Sequence, residues 1–124
     1  MNRALALLTL SVFAVSVAFS QTSKKQTTII GEVVDVVNYV VNGMKPNNAD
    51  RKALVEASAK AGSPLGILER KTGKIYVVAM GQQGASALET LTPYFGLKIF
   101  ATGKVYKKGG IMLFMLSDIG KSVK

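Results

Sequence analysis

The sequence predicts a small all-β domain, a barrel with short helices attached, and three observations carry that expectation. β-Branched residues crowd the stretch from Thr27 to Val41. A two-residue alternation runs from Leu97 to Tyr106. Turn residues separate short apolar runs at Arg70-Lys71-Thr72-Gly73 and again at Lys107-Lys108-Gly109-Gly110. A chain of 124 residues with no cysteine has no disulfide to lean on, so its stability must come from one core that closes on itself.

Residues 1–20 stand apart from that fold. Arg3 gives a positive start, Leu5 to Phe19 is an apolar run broken only by Thr9, Ser11 and Ser16, and Ala18-Phe19-Ser20 puts small residues at the −3 and −1 positions of a cleavage site. This is the pattern of a secretory signal peptide cut before Gln21. The run is near the lower length limit for spanning a bilayer, which disfavours a retained anchor. The expected protein is exported, periplasmic or extracellular, with no transmembrane segment after cleavage. Residues 21–26 form a polar, unpatterned lead-in, and the folded domain is expected over 27–124.

The elements follow in order. From Thr27 to Val41 apolar residues occur at both parities, which predicts one long strand that bends, with Gly31 as the bend point. A turn-rich connection around Pro46 leads to a helix capped by Asn48, with Asp50 in its first turn. Leu54, Ala57 and Ala61 are its apolar stripe, and Gly62 and Pro64 stop it. Pro64 to Met80 reads as a hairpin about the Arg70–Gly73 turn, and Gly81-Gln82-Gln83-Gly84 breaks its second strand. Ser86-x-x-Glu89 is a capping box for a short helix from Ala87 to Pro93 or Tyr94, with Gly96 just past its end. Leu97 to Tyr106 and Ile111 to Ile119 make the closing hairpin.

Five strands, with one helix between strands three and four and an extra helix inserted between strands one and two, is the plan of the five-stranded OB-fold, a Greek-key barrel. The wording of Gly31-Glu32-Val33-Val34-Asp35, of Gly103-Lys104-Val105-Tyr106 and of the terminal Ile119-Gly120-Lys121-Ser122-Val123 resembles a group of small exported bacterial single-OB-fold proteins, from about Thr27 to the C-terminus. That group carries Cys-Tyr at the end of strand one and a His/Cys pattern in the inserted helix, before a Gly-x-Pro-x-Gly stretch. Gly62-Ser63-Pro64-Leu65-Gly66 matches the last piece. Asn38-Tyr39 falls where Cys-Tyr would be, and Arg51, Leu54 and Ser58 fall near the His and Cys positions. The metal or redox role that the resemblance implies therefore has no ligands here.

Composition narrows the chemistry further. There is no His, Cys or Trp, and 16 Lys plus Arg against 7 Asp plus Glu give a net charge of +9. Without imidazole or thiolate there are no Cys or His nucleophiles, no Ser-His-Asp triads, no zinc sites and no haem ligation, so no catalytic residue, metal or cofactor is assigned. Gly120-Lys121-Ser122 lacks the upstream glycine and the following helix of a phosphate loop. Gly81 to Gly84 reads as a plain turn, and Glu32 and Asp35, three apart on a strand, point to opposite faces rather than forming a carboxylate pair.

Two surfaces remain. Arg70, Lys71 and Lys74 cluster at one turn, Lys107 and Lys108 at another, and Tyr76 and Tyr106 lie on or beside the adjoining strands. Cations interleaved with aromatics suit a polyanion. Export argues against nucleic acid and for an anionic glycan or lipid headgroup of the cell envelope. Lysines at sheet turns also serve simply to keep edges soluble. The alternative is a structural or partner-binding envelope protein that uses an exposed apolar strand face, such as Met112, Phe114 and Leu116, against another protein.

Overall fold

A computed structural model describes residues 25–123, so the signal peptide expected at residues 1–20, most of the lead-in and Lys124 lie outside the described residues. Five strands, β1 (Gln26–Asp35), β2 (Leu65–Glu69), β3 (Ile75–Met80), β4 (Ile99–Lys108) and β5 (Ile111–Lys121), form one mixed sheet. It closes into a barrel in the order β1-β2-β3-β5-β4. Every pairing is antiparallel except that of β3 with β5. Helices α1 (Val36–Asn42) and α2 (Ala49–Lys60) are inserted between β1 and β2. Helix α3 (Ala87–Leu91), continued by a 3-10 turn over Thr92–Tyr94, joins β3 to β4.

β1 closes the ring by changing partners. Gln26 to Gly31 pair with β4, and Gly31 to Asp35 pair with β2. Gly31 stands at the change, where a Cβ would lie 2.1 Å from the Leu68 carbonyl oxygen. No side chain fits that gap, so the bend falls at the one glycine in the β-branched run. The strands then divide by parity. Ile29, Val33, Ile67, Tyr76, Val78, Ile99 and Phe114 turn inward, and Val55 of α2, Leu91 of α3 and Phe95 join the same core.

The second half of the β-branched run leaves the sheet, contrary to the expected strand over Thr27–Val41. Asp35 Oδ1 accepts the amides of Val37 at 3.1 Å and Asn38 at 3.2 Å, which caps a helix. At the other end Gly43, with φ 66°, donates its N–H to the Tyr39 carbonyl, and Met44 donates to that of Asn38. The four valines cost a helix about 2 kcal/mol in all, of which the N-cap offsets about 1 kcal/mol and the Gly43 C-cap a further part. A closed ring also leaves no strand edge for Val36 to Val41 to pair with. The outcome is an exposed apolar face: Val40 is 66% and Val41 72% accessible.

α2 begins as expected, with the Asn48 side chain accepting the Arg51 amide at 2.9 Å. Its inward stripe is shifted by a residue. Val55 is buried and Ala59 packs on the core, while Leu54, Ala57 and Ala61 are exposed. Ser86 caps α3, its Oγ accepting the Glu89 amide at 3.3 Å. The β4–β5 turn tightens to Gly109-Gly110, and Gly120-Lys121 continues β5 beneath the Phe100 ring.

Candidate functional site

A cleft of about 310 Å³ lies against the outside of β1 and β2. Glu32 and Leu68, register partners on those strands, line it together with Tyr39 of α1, Lys45 from the loop after it, Arg70 and Lys98. A neighbouring hollow of about 370 Å³ shares Arg70 and Lys98 and adds Lys71. The cations stand on fixed backbone. The Arg70 amide donates to the Ile30 carbonyl at 2.9 Å, extending the β1–β2 ladder by one residue, and the Lys98 carbonyl accepts the Ser122 amide at 2.9 Å.

The charge balance of the two hollows is positive, four cations against Glu32 and Glu69. Both carboxylates already have partners. Lys45 Nζ donates to Glu32 Oε1 at 2.6 Å, and that bond holds the Lys45 ammonium above its usual pKa. Glu69 accepts the Thr72 hydroxyl and is engaged by Tyr76, whose phenol is pushed up first by burial and then by the Glu69 charge. Arg70 and Lys71 lie beyond these two pairs and can approach an anion without breaking either of them.

A second polar cluster holds the cleft's helix in place. Asp35, fully buried, accepts Asn38 Nδ2 and Ser63 Oγ, each at 2.7 Å, besides the two α1 amides. Burial pushes its carboxyl up, but the hydrogen bonds from Ser63, Ser58 and Asn38 outweigh that and hold it below its ordinary 3.8. Asn38 Nδ2 also reaches Ser58 Oγ at 3.4 Å, which brings α1 and α2 together through a polar contact. The clasp fixes α1, and with it Tyr39 at the cleft.

The structure splits the expected basic wall. Arg70 and Lys71 enter the cleft region, with Lys45 and Lys98 as partners that the sequence reading missed. Lys74 is exposed on the same turn outside the cleft lining. Lys107 and Lys108 are exposed at the β4–β5 turn and line neither hollow. The parallel β3/β5 register, Val77 beside Leu113, nevertheless puts both turns at the same end of that strand pair.

Two corrections concern apolar residues. Tyr76 is only 7% accessible and meets Phe114 edge-on at 6.0 Å, so it belongs to the core and offers no stacking surface, whereas Tyr106 is exposed. Phe114 and Leu116 are also core, and Met112 packs against it. The outward apolar residues of β5 are Ile111, Leu113 and Met115, and exposed Asp118 follows on the same side. No protein-family model, no curated protein and no solved structure matches the chain. Among the described residues no helix is long and apolar enough to cross a membrane.

Proposed function

We propose that the protein is an exported, non-enzymatic OB-fold binding module that recognises an anionic group of an envelope glycan or lipid headgroup in the cleft over β1 and β2. The fold reading is supported by the ring order β1-β2-β3-β5-β4, its parallel β3/β5 contact and the helix between strands three and four. Export rests on the sequence of residues 1–20, and the non-enzymatic reading on the lack of His and Cys.

The observation that carries the binding reading is the convergence of Arg70, Lys71 and Lys98 beside carboxylates that already have partners. Titration with polygalacturonate at two ionic strengths tests it. The expected result is binding that weakens steeply with salt. Arg70→Ser with Lys98→Ser lowers the affinity about tenfold or more, on the scale of charge-assisted hydrogen bonds at 1.5–3 kcal/mol each. Unchanged affinity in that double variant, with the fold intact, would remove the cleft as the site.

A further inference from the structure

The outer face of the barrel over β3, β5 and β4 is apolar where a solvated sheet face carries polar residues. Tyr76 and Val78 are core, so alternation turns Ile75, Val77 and Ala79 outward. Register sets Val77 beside Leu113 and Ala79 beside Met115, then Tyr106 beside Leu113 and Lys108 beside Ile111 across the β4–β5 ribbon. All are at least partly exposed, and Ile111, at the turn, is 62% accessible. The face continues onto α1. Val36 sits against Gly66, the register partner of Val77, and the same helix exposes Val37, Val40 and Val41.

Within the apolar patch itself the charges have one sign. Between Ile111 and Met115, along β3, and at the outward positions of β4 opposite them there is no carboxylate. Lys104 and Lys108 stand on β4, and Lys74 immediately precedes β3. An apolar patch whose own charges are cationic marks an interaction surface, although exposed Asp118, opposite Thr102, follows farther along β5 and Glu69 stands across from Lys74. The complement of the patch is apolar with a net anionic border. A bilayer containing anionic lipid has that layering. Apolar side chains on a turn and on one face of a short helix reach between headgroups, a tyrosine sits at the interface, and lysines keep their ammonium groups at the phosphates.

We propose that this face docks on an anionic lipid surface, with the β4–β5 turn and its Ile111 leading. The docking stands on the face itself. Its link to the cleft rests on the binding reading above: Leu68 in the cleft is the register partner of Ile75, so the cleft opens at the edge of the face, at headgroup level.

The test is co-sedimentation of the protein, in the form in which cells accumulate it, with vesicles of phosphatidylcholine alone and of phosphatidylcholine mixed with phosphatidylglycerol. The expected result is binding to the mixed vesicles and little to the neutral ones. Ile111→Ser with Tyr106→Ser lowers the partition coefficient roughly tenfold or more, and Lys104→Ser with Lys108→Ser about fivefold per charge. Both double variants keep the thermal unfolding of the parent, because the positions are on the barrel exterior. Equal binding to both vesicle types overturns the proposal. So does mixed-vesicle binding that ignores the face variants but is lost in Arg70→Ser with Lys98→Ser, which leaves the cleft reading intact. Polygalacturonate binding with no vesicle binding overturns the docking alone, and failure on both probes overturns both readings. A concentration-dependent dimer broken by Ile111→Ser assigns the face to a second copy and overturns the lipid proposal.

Discussion

The inner and outer faces of this barrel are cut from the same strands and differ in what a substitution on them does. On the inside, Phe114, Ile67 and Ile99 are fully covered, so their removal is felt as lost packing throughout the core. On the outside, Leu113 and Val77 are covered only in part, and the charged residues of the cleft stand at the rim. In β3, β4 and β5 one parity packs the core and the other faces outward, where the proposed binding surfaces lie, whereas Val34 of β1 and Leu68 of β2 are buried at the outward parity as well. Mutations can therefore separate the two roles even at adjacent positions.

The largest effect is expected where the two faces cannot be separated. At Gly31 the β1 backbone passes so close to the Leu68 carbonyl that a methyl group would stand 2.1 Å from the oxygen. Gly31→Ala should prevent β1 from pairing with β2 and β4 together and cost about 4 kcal/mol or more. Circular dichroism across a urea titration measures it. A variant as stable as the parent would mean that the seam can shift without opening the ring.

Next come the neighbours Phe114 and Leu113, which place the same chemistry on opposite faces. Phe114→Ala removes a ring that packs on Tyr76 and should cost about 3–5 kcal/mol. Leu113→Asn should cost about 1 kcal/mol or less, because its side chain keeps access to water. Equal costs from the two substitutions would show that the outer face is as tightly packed as the inner one, and the division by parity would fail.

Asp35 carries the comparison to the end of β1, where an inward carboxylate ties α1, α2 and the segment before β2 together. Asp35→Ala removes a helix cap worth about 1 kcal/mol and strands donors at about 1–3 kcal/mol, for a combined loss of roughly 2–4 kcal/mol at neutral pH. The native carboxyl titrates below its ordinary 3.8, so its contribution is fully present above that value. It is lost as pH falls through the lower, native-state value. Chemical denaturation from neutral pH down into the acid range should therefore show parent and variant converging only at the acid end. A gap that stays constant would mean that the carboxylate charge plays no part in the clasp.

What the sequence made legible follows the same physical divide. β4 was readable because its polar and apolar residues alternate, and the Ser86 cap because it is local. β5 was not readable for orientation. Ile111 to Leu116 is apolar at every position, so nothing inside the run distinguishes Phe114 from Leu113, and only pairing of Gly103 with Leu116 and Val105 with Phe114 decides it. The cleft was half visible. Arg70 and Lys71 announce themselves as a cluster, but Lys45 and Lys98 reach it through contacts between segments far apart in sequence, which no local pattern encodes. α1 is legible only from its ends, since the β-propensity of its valines points to a strand. Asp35 before the run and Gly43 after it are a start and a stop signal at helical separation, and they were available in the sequence.

The smallest expected effect tests that last point and has the opposite sign to its inner counterpart. Val40 and Val41 are mostly exposed on a helix, so Val40→Ala or Val41→Ala forfeits little burial and gains helix propensity, a rise in stability of about 0.5 kcal/mol each. The same change at fully buried Val33 of β1 loses packing and should cost roughly 2 kcal/mol. Differential scanning calorimetry of the three single variants reads both signs in one series. If Val40→Ala and Val41→Ala destabilise the protein as Val33→Ala does, these valines are covered in solution, by strand pairing or by a partner. If they stabilise it, the β-branched run changes from strand to helix at Asp35 and its valines face water there.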